Sequence, residues 1–337
     1  MATIRDVAKL AEVSVSTVSL ALSNPGRVSA KTLERILQAV ATVGYVADPL
    51  AQSLARGRSR MIGFVVGNVG NPFFGDIRRE LENYALEHNH FVLITDSSGE
   101  PGREQALVEH LIGLKIAGLA LAPSSFGPEY VNFIQGLKVP MVCFDQKVAG
   151  IERDFVGSDN YLAGAMLTEH LLQLGHRRIA FIAGPQHMHT ASERYRGFAE
   201  TMASAGVEVN PNYVVDGQFT RSGGYGAAMR LLIQPERPTA ILGANNAVSL
   251  AALQAMQELG FNCPEDISLA MIDDVAWSNV ITPRITMVVQ DTLKLGGIIA
   301  RRLLHRITNP DAAIDPPQDF VLSPKFVPGN SCRRISS

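Results

Sequence analysis

Four small hydroxyls, Ser14, Ser16, Thr17 and Ser19, crowd into the ten residues VSVSTVSLAL from Val13 to Leu22. They do not read as a nucleophile set, because the chain has no G-x-S-x-G, no P-loop and no H-E-x-x-H. On the outward face of a helix, such side chains let the backbone approach phosphates and base edges inside the roughly 12 Å wide major groove of DNA. Period alone leaves a second reading, since Val13 and Val15 alternate with serines as in a half-buried strand.

Other reactive residue types lead nowhere comparable. Cys143, Cys263 and Cys332 are far apart and in no C-x-x-C spacing, which suits a reducing compartment and excludes a disulfide framework. His187 and His189 stand two apart without a clear carboxylate partner, so no metal is expected. GNVGNPFFG, residues 67–75, is not G-x-G-x-x-G, and no cofactor is expected. The chain reads as a non-enzyme.

Neighbours decide between helix and strand. Thr3 and Asp6 have capping-box spacing ahead of Val7, Ala8 and Ala11, a first helix. Glu12, Val13 and Ser14 form a sharp link in which Ser14 caps a second helix with Val18 and Leu22 inside. Ser29 caps a third, on which Leu33, Ile36, Leu37, Val40 and Val43 share a face. Val15, Ser16, Ser19 and Leu20 are then left outward. Charge agrees: residues 1–60 carry eight basic against four acidic side chains, a net of +4. The remaining 22 basic and 28 acidic residues give −6.

The 337 residues exceed one typical domain. No stretch approaches the roughly 20 apolar residues of a membrane span. Arg5, Asp6, Lys9 and Glu12 interrupt any signal-peptide core, so the cytosol is expected. From Met61 onward the apolar runs MIGFVV, FVLIT, GLALA, PMVCF, RIAFIAG, AILGA, ISLAMI and ITMVV alternate with helical patterns. That alternation implies α/β lobes built on doubly wound parallel sheets.

TIRDVAKLAEVSVSTVSLALSN resembles the helix-turn-helix of the lactose-repressor/galactose-repressor (LacI/GalR) family, and the resemblance runs through nearly the whole chain. It implies a head over 1–47, a hinge helix over 48–60, and a body over 61–337 similar to periplasmic sugar-binding proteins. Lobe one would span about 61–160 and 291–320, and lobe two about 161–290 and 321–337. Val15, Ser16 and Leu20 would meet base edges, with Ser14, Thr17 and Ser19 nearer the backbone. Leu20 stands where Arg or His is common and suits a thymine methyl. Glu12 stands where Gly or a small polar turn residue is usual. In the hinge, Leu54 and Ala55 would wedge the minor groove.

For the body, the resemblance implies an effector cleft at Phe73, Phe74, Ser124, Asp145, Thr190, Arg194, Phe219, Asn245, Asp273 and Trp277. Paired donors and acceptors suit vicinal hydroxyls, and aromatic faces suit a sugar ring. The implied function is a homodimeric regulator, a repressor by family habit, binding pseudo-palindromic double-stranded operator DNA under control of a carbohydrate effector. Two alternatives stay open at this point: a periplasmic-type solute-binding protein without a regulatory role, and a purine-type, corepressor-dependent repressor. Met188, where purine-binding members have a cation, speaks against the purine type. Inducer or corepressor, and dimer or tetramer, are likewise open.

Overall fold

Thr3 opens the first helix. The Asp6 carboxylate accepts from its backbone N–H and its hydroxyl, both at 2.8 Å, and these bonds hold that carboxyl below its ordinary range. Helix α1 (Ile4–Leu10), α2 (Val15–Ser23) and α3 (Ala30–Val43) enclose Val7, Ala8, Ala11, Val18, Ala21, Ile36 and Ala39. Ser14 Oγ caps α2 by accepting from Thr17 N at 3.1 Å, and Ser29 Oγ caps α3 through Thr32 N at 3.2 Å. The α1–α2 link turns at Glu12 with φ +51°, a backbone state in which Gly has no penalty. The expected inner face of α3 needs one correction. Leu37 is 51% exposed, and Ala39, one turn from Ile36, takes the core position instead.

The structure is a computed structural model that describes residues 2–23, 25–45, 59–275, 278–280, 282–309 and 315–335. The chain divides into two units, residues 1–59 and 60–337. Leu54, Ala55 and Trp277 lie outside the described residues.

The second unit holds two lobes of the same winding. Lobe one orders β1 (Met61–Val66), β2 (Phe91–Asp96), β3 (Gly118–Leu121), β4 (Met141–Phe144), β5 (Asp154–Ser158) and β11 (Asp319–Leu322) as β11-β5-β4-β3-β1-β2, all parallel. Lobe two contains β6 (Ile179–Ala183), β7 (Val214–Asp216), β8 (Ala240–Gly243), β9 (Ser268–Ile272), β10 (Thr286–Val289) and β12 (Lys325–Val327). Their order is β12-β10-β9-β8-β6-β7, with β12 alone antiparallel. Strands buried on both faces are unbroken apolar runs, which is why most of them show in the sequence.

Helices cover both faces of each sheet. In lobe one, α4 (Pro72–Glu87) and α11 (Thr292–Thr308) bury Ile77, Leu81, Ile299 and Leu303 against Ile62, Phe64 and Val142. On its other face, α5 (Pro101–Gly113) and α6 (Pro128–Gly136) pack on Val65, Leu119 and Cys143. In lobe two, α9 (Arg221–Leu232) and α10 (Asn246–Glu258) cover one face. There α7 (Asn160–Gln173) and α8 (His189–Ser204) cover the other.

The chain crosses between lobes three times, and the last crossing departs from expectation. Val321 and Leu322 pair with Gly157 and Ser158, so they stay in lobe one and the crossing falls at residues 323–324 rather than 320–321.

Helices α7 and α8 touch through glycine. A Cβ on Gly164 would lie 2.1 Å from Arg194 O, and one on Gly197 would lie 2.1 Å from Tyr161 O. Backbone cannot yield that distance cheaply. Gly197→Ala is therefore expected to cost about 3 kcal/mol in urea unfolding, at the upper end of ordinary overpacking. This close approach also brings Arg194, on α8, within reach of Asn160 at the start of α7.

Candidate functional site

A cleft of about 590 Å³ lies between the lobes, lined by residues that follow the carboxyl ends of strands from both sheets. In doubly wound folds that is where ligands bind. Phe73 and Phe74 reach it from the start of α4, where the Asn71 side chain caps the helix through Phe73 N at 3.1 Å. Ser124 follows β3. Its N–H donates to Glu104 Oε2 at 2.9 Å, and Tyr130 Oη donates to the same carboxyl at 2.5 Å, fixing the loop from behind. Burial pushes the Glu104 carboxyl up, and these two bonds oppose the rise.

Asp145 and Asp273 occupy matching places in the two lobes. Each leaves its strand in the left-handed region, with φ +63° and +71°, a conformation Asp tolerates better than most side chains. Each keeps one backbone bond to the next strand, Asp145 N to Val156 O at 3.1 Å and Asp273 N to Val288 O at 2.9 Å. Both carboxylates are thereby turned out of the ladder and line the cleft. Gln218 and Phe219 are also left-handed, at +55° and +54°. Non-glycine strain gathered at one cleft marks a functional surface. Gly184 makes room for the Phe219 ring, since a Cβ there would meet it at 2.3 Å.

Arg194 is the hub. Its Nε donates to Asn160 Oδ1 at 2.7 Å, and its Nη1 to Ala244 O at 2.6 Å and Asp273 Oδ2 at 3.3 Å. Gln290 Nε2 donates to Asp273 Oδ1 at 2.6 Å, and Arg194 lies 5.8 Å from the Phe219 ring centroid. Asn245 caps α10 through Val248 N at 3.0 Å. Gln146, from lobe one, donates to Thr190 Oγ1 at 2.8 Å and to Asp145 Oδ2 at 3.0 Å, tying the two lobes at the cleft wall.

Nine of the ten expected cleft residues thus line one cavity, and Trp277 is outside the described residues. Gln146, Asn160 and Gln290 were missed. Gln290 directly follows the apolar run of β10 and Gln146 stands two residues past that of β4, which is the only signal they give. Thr292 is bonded to Asp76 at 3.1 Å and does not line the cleft. His176, fully buried, bonds Thr239 and the Arg333 carbonyl and is a structural histidine. His187 lines the cleft, and burial pulls the His189 imidazole below its usual range. Among the described residues no group of three His, Cys, Asp or Glu side chains is placed to hold a metal.

Burial pushes the Asp145 carboxyl up to about 6; the Arg194 charge opposes this and the Asp273 charge adds to it. Between pH 4 and 6 the folded chain therefore holds a proton here that the unfolded chain has released. This group's contribution to stability is full below pH 4 and is lost as pH rises towards 6. A ligand that donates hydrogen bonds to Asp145 binds its ionised form more strongly, because the carboxylate offers both oxygens as charged acceptors. Its affinity is expected to fall as pH drops from 7 to 5, and Asp145→Asn is expected to flatten that profile in calorimetric titrations.

On the head, Val15 is 41% exposed, Ser16 and Ser19 are exposed, and Thr17 and Leu20 are half-buried. Ser14 Oγ, besides its cap, bonds the Ser16 and Thr17 hydroxyls, each at 2.7 Å. The outer face of α2 is a small, hydroxyl-rich surface with no acidic side chain.

A helix-turn-helix head and a two-lobed binding body together define a DNA-binding regulator with a small-molecule cleft. The model of the bacterial regulatory proteins, lacI family, matches residues 3–48, and that of the periplasmic binding protein-like domain matches residues 168–332. The HTH-type transcriptional repressor PurR of Haemophilus influenzae (strain PittEE) is 30% identical over 336 residues, covering 99% of this chain and 100% of that one. The lac repressor dimer bound to operator and the anti-inducer ONPF superposes with a TM-score of 0.86 at 25% identity, over 98% of this chain and 99% of that one. A transcriptional regulator CelR–cellobiose complex gives 0.73 at 28% identity, over 98% and 100%. The chain belongs to the lacI family of bacterial regulatory proteins and is a transcriptional regulator. Among the described residues no helix is long and apolar enough to cross a membrane.

Proposed function

We propose that the chain is a cytoplasmic repressor that binds a pseudo-palindromic operator as a homodimer and changes its DNA affinity when a sugar enters the cleft. The observation that carries this reading is the pairing of Asp145, Asp273, Arg194 and Asn245 with the rings of Phe73, Phe74 and Phe219 around one cavity. Carboxylate, amide and guanidinium groups engage adjacent hydroxyls in pairs, and aromatic faces cover the C–H surface of a pyranose or furanose. The complex of CelR with cellobiose supports a carbohydrate.

Ser14, Val15, Ser16, Thr17, Ser19 and Leu20 are assigned to the operator, with Leu54 and Ala55 as the minor-groove wedge. Leu86, Phe91 and Ile94 are exposed at and beside the edge strand β2, apolar surface that a second copy would cover. The effector acts by changing the angle between the lobes. Ligand and DNA are then reciprocally coupled, by about 1–3 kcal/mol in typical allosteric proteins.

Genome-wide DNA occupancy, with and without a sugar panel in the medium, tests the reading. Discrete palindromic peaks that strengthen or vanish with one sugar are expected. Diffuse occupancy that ignores every sugar would overturn it.

A further inference from the structure

Charge in the cleft is one-sided. Among the described residues the lining contains three carboxylates, Asp96, Asp145 and Asp273, against a single guanidinium, Arg194, with His187 the other titratable group. Arg194 is 3% exposed, and its Nε and Nη1 are engaged by Asn160, Ala244 and Asp273. Its charge answers Asp273.

Asp145 has no ion pair of its own among the described residues, and the Arg194 charge reaches it only at longer range. The hydrogen-bond donor to Asp145 is the neutral Gln146 amide. The neighbouring Lys147 is turned away to Asp319. At the mouth, Asp96 receives the N–H groups of Val69 and Ser98 at 2.8 and 2.6 Å, and Arg103 reaches only as far as Ser98 Oγ, at 3.1 Å. Among the described residues the deep cleft therefore sets two carboxylates, Asp145 and Asp273, against one guanidinium already paired with Asp273, a net negative lining that disfavours an anion.

We propose that the cleft excludes anionic effectors and takes an uncharged polyhydroxyl ligand that donates a hydrogen bond to Asp145. Sugar phosphates and sugar acids are rejected because their charge would sit beside a carboxylate with no ion pair of its own in a partly dry cavity, where like charges repel far more than in water. Neutral hydroxyls lose nothing to that field, and they supply the donors that Asp145 lacks. This selection rests on reading the cleft as the effector site and the effector as a sugar.

The test is calorimetric titration of the full chain at pH 7.5 with matched ligands. Glucose, galactose and ribose are each compared with their phosphate and their acid, and adenosine and cytidine with their 5′-monophosphates. The expected result is one neutral sugar that binds at least about 100-fold more tightly than its anionic derivatives. In Asp145→Asn, the neutral sugar should weaken about tenfold and the anionic penalty should shrink about tenfold, a change in selectivity that general damage to the fold would not produce.

An anionic derivative that binds as tightly as its neutral parent overturns the exclusion and leaves the sugar reading standing. A neutral nucleoside that binds while its monophosphate and every sugar fail overturns the sugar reading and supports the exclusion. If no neutral ligand in the panel binds, both are overturned.

Discussion

Arg194→Met is expected to abolish the effector response of the DNA complex, lowering ligand affinity by about 100-fold or more. Methionine keeps the reach and apolar stem of the side chain but removes every N–H. Three acceptors then lose their donor together: Asn160 Oδ1, the Ala244 carbonyl and Asp273 Oδ2, all in a site where the side chain is 4% exposed. Hydrogen bonds to charged groups are worth about 1.5–3 kcal/mol each, and an orphaned buried carboxylate costs more. Asp273 would sit without its cation near Asp145, two carboxylates with no guanidinium between them in the cleft that has to hold the ligand. Arg194→Lys should not restore function, because one ammonium cannot bridge three acceptors set in a fork. Titration of ligand into each variant, beside urea unfolding of the same samples, measures both losses. The head has its own core, so operator affinity without ligand should survive. Arg194→Met with wild-type ligand affinity would remove Arg194 from the site.

How far the sequence could reveal this site depends on whether a residue's role is local. Strands β1, β3, β4, β6, β8 and β9 are buried on both faces, so each is an apolar run that period and composition expose. Strand β5 begins at the buried Asp154 and contains Gly157, and β7 and β12 have three residues each, too short to set a pattern. Helix α9 is hard to read in the sequence for another reason. Gly223, Gly224 and Gly226 blur its periodicity, yet a Cβ on Gly224 would lie 2.5 Å from Val248 Cα, so the glycine that hides the helix is what lets α10 approach. In the cleft, family resemblance pointed to Arg194 and Asp273. Their partner Asn160 is 34 residues from Arg194, and Gln146 is 44 residues from Thr190. A glutamine after an apolar run looks like any strand end. Only the fold, which sets two such ends on opposite sides of one cavity, makes it part of a site.

Asp154→Asn is expected to cost about 3–5 kcal/mol of stability, the usual penalty for breaking a buried ion pair from one side. The Asp154 side chain is fully buried and serves three elements at once. It accepts from Arg302 Nη2 at 3.1 Å and Arg306 Nε at 3.0 Å, both on α11, and from Gln318 N at 2.9 Å at the entry to β11. Burial alone would push this carboxyl up, but the bonds from Arg306, Arg302 and Gln318 outweigh it and hold the group below its ordinary range. The stability it contributes is therefore present above the unfolded value of 3.8 and is lost as pH falls through the lower folded value. The amide cannot replace it, since one carbonyl oxygen has to face two guanidiniums whose charges then go unanswered. Urea unfolding at pH 7 should show the full loss, and between pH 5 and 3 the variant should lose less stability than the wild type. Equal acid sensitivity of the two proteins would mean that Asp154 is not the acid-sensitive clasp. Because β11 leads directly to the last crossing between lobes, the same variant should also loosen the cleft. Saturating ligand should then recover part of the lost stability, by RT ln(1 + [L]/Kd), since it binds only the folded form.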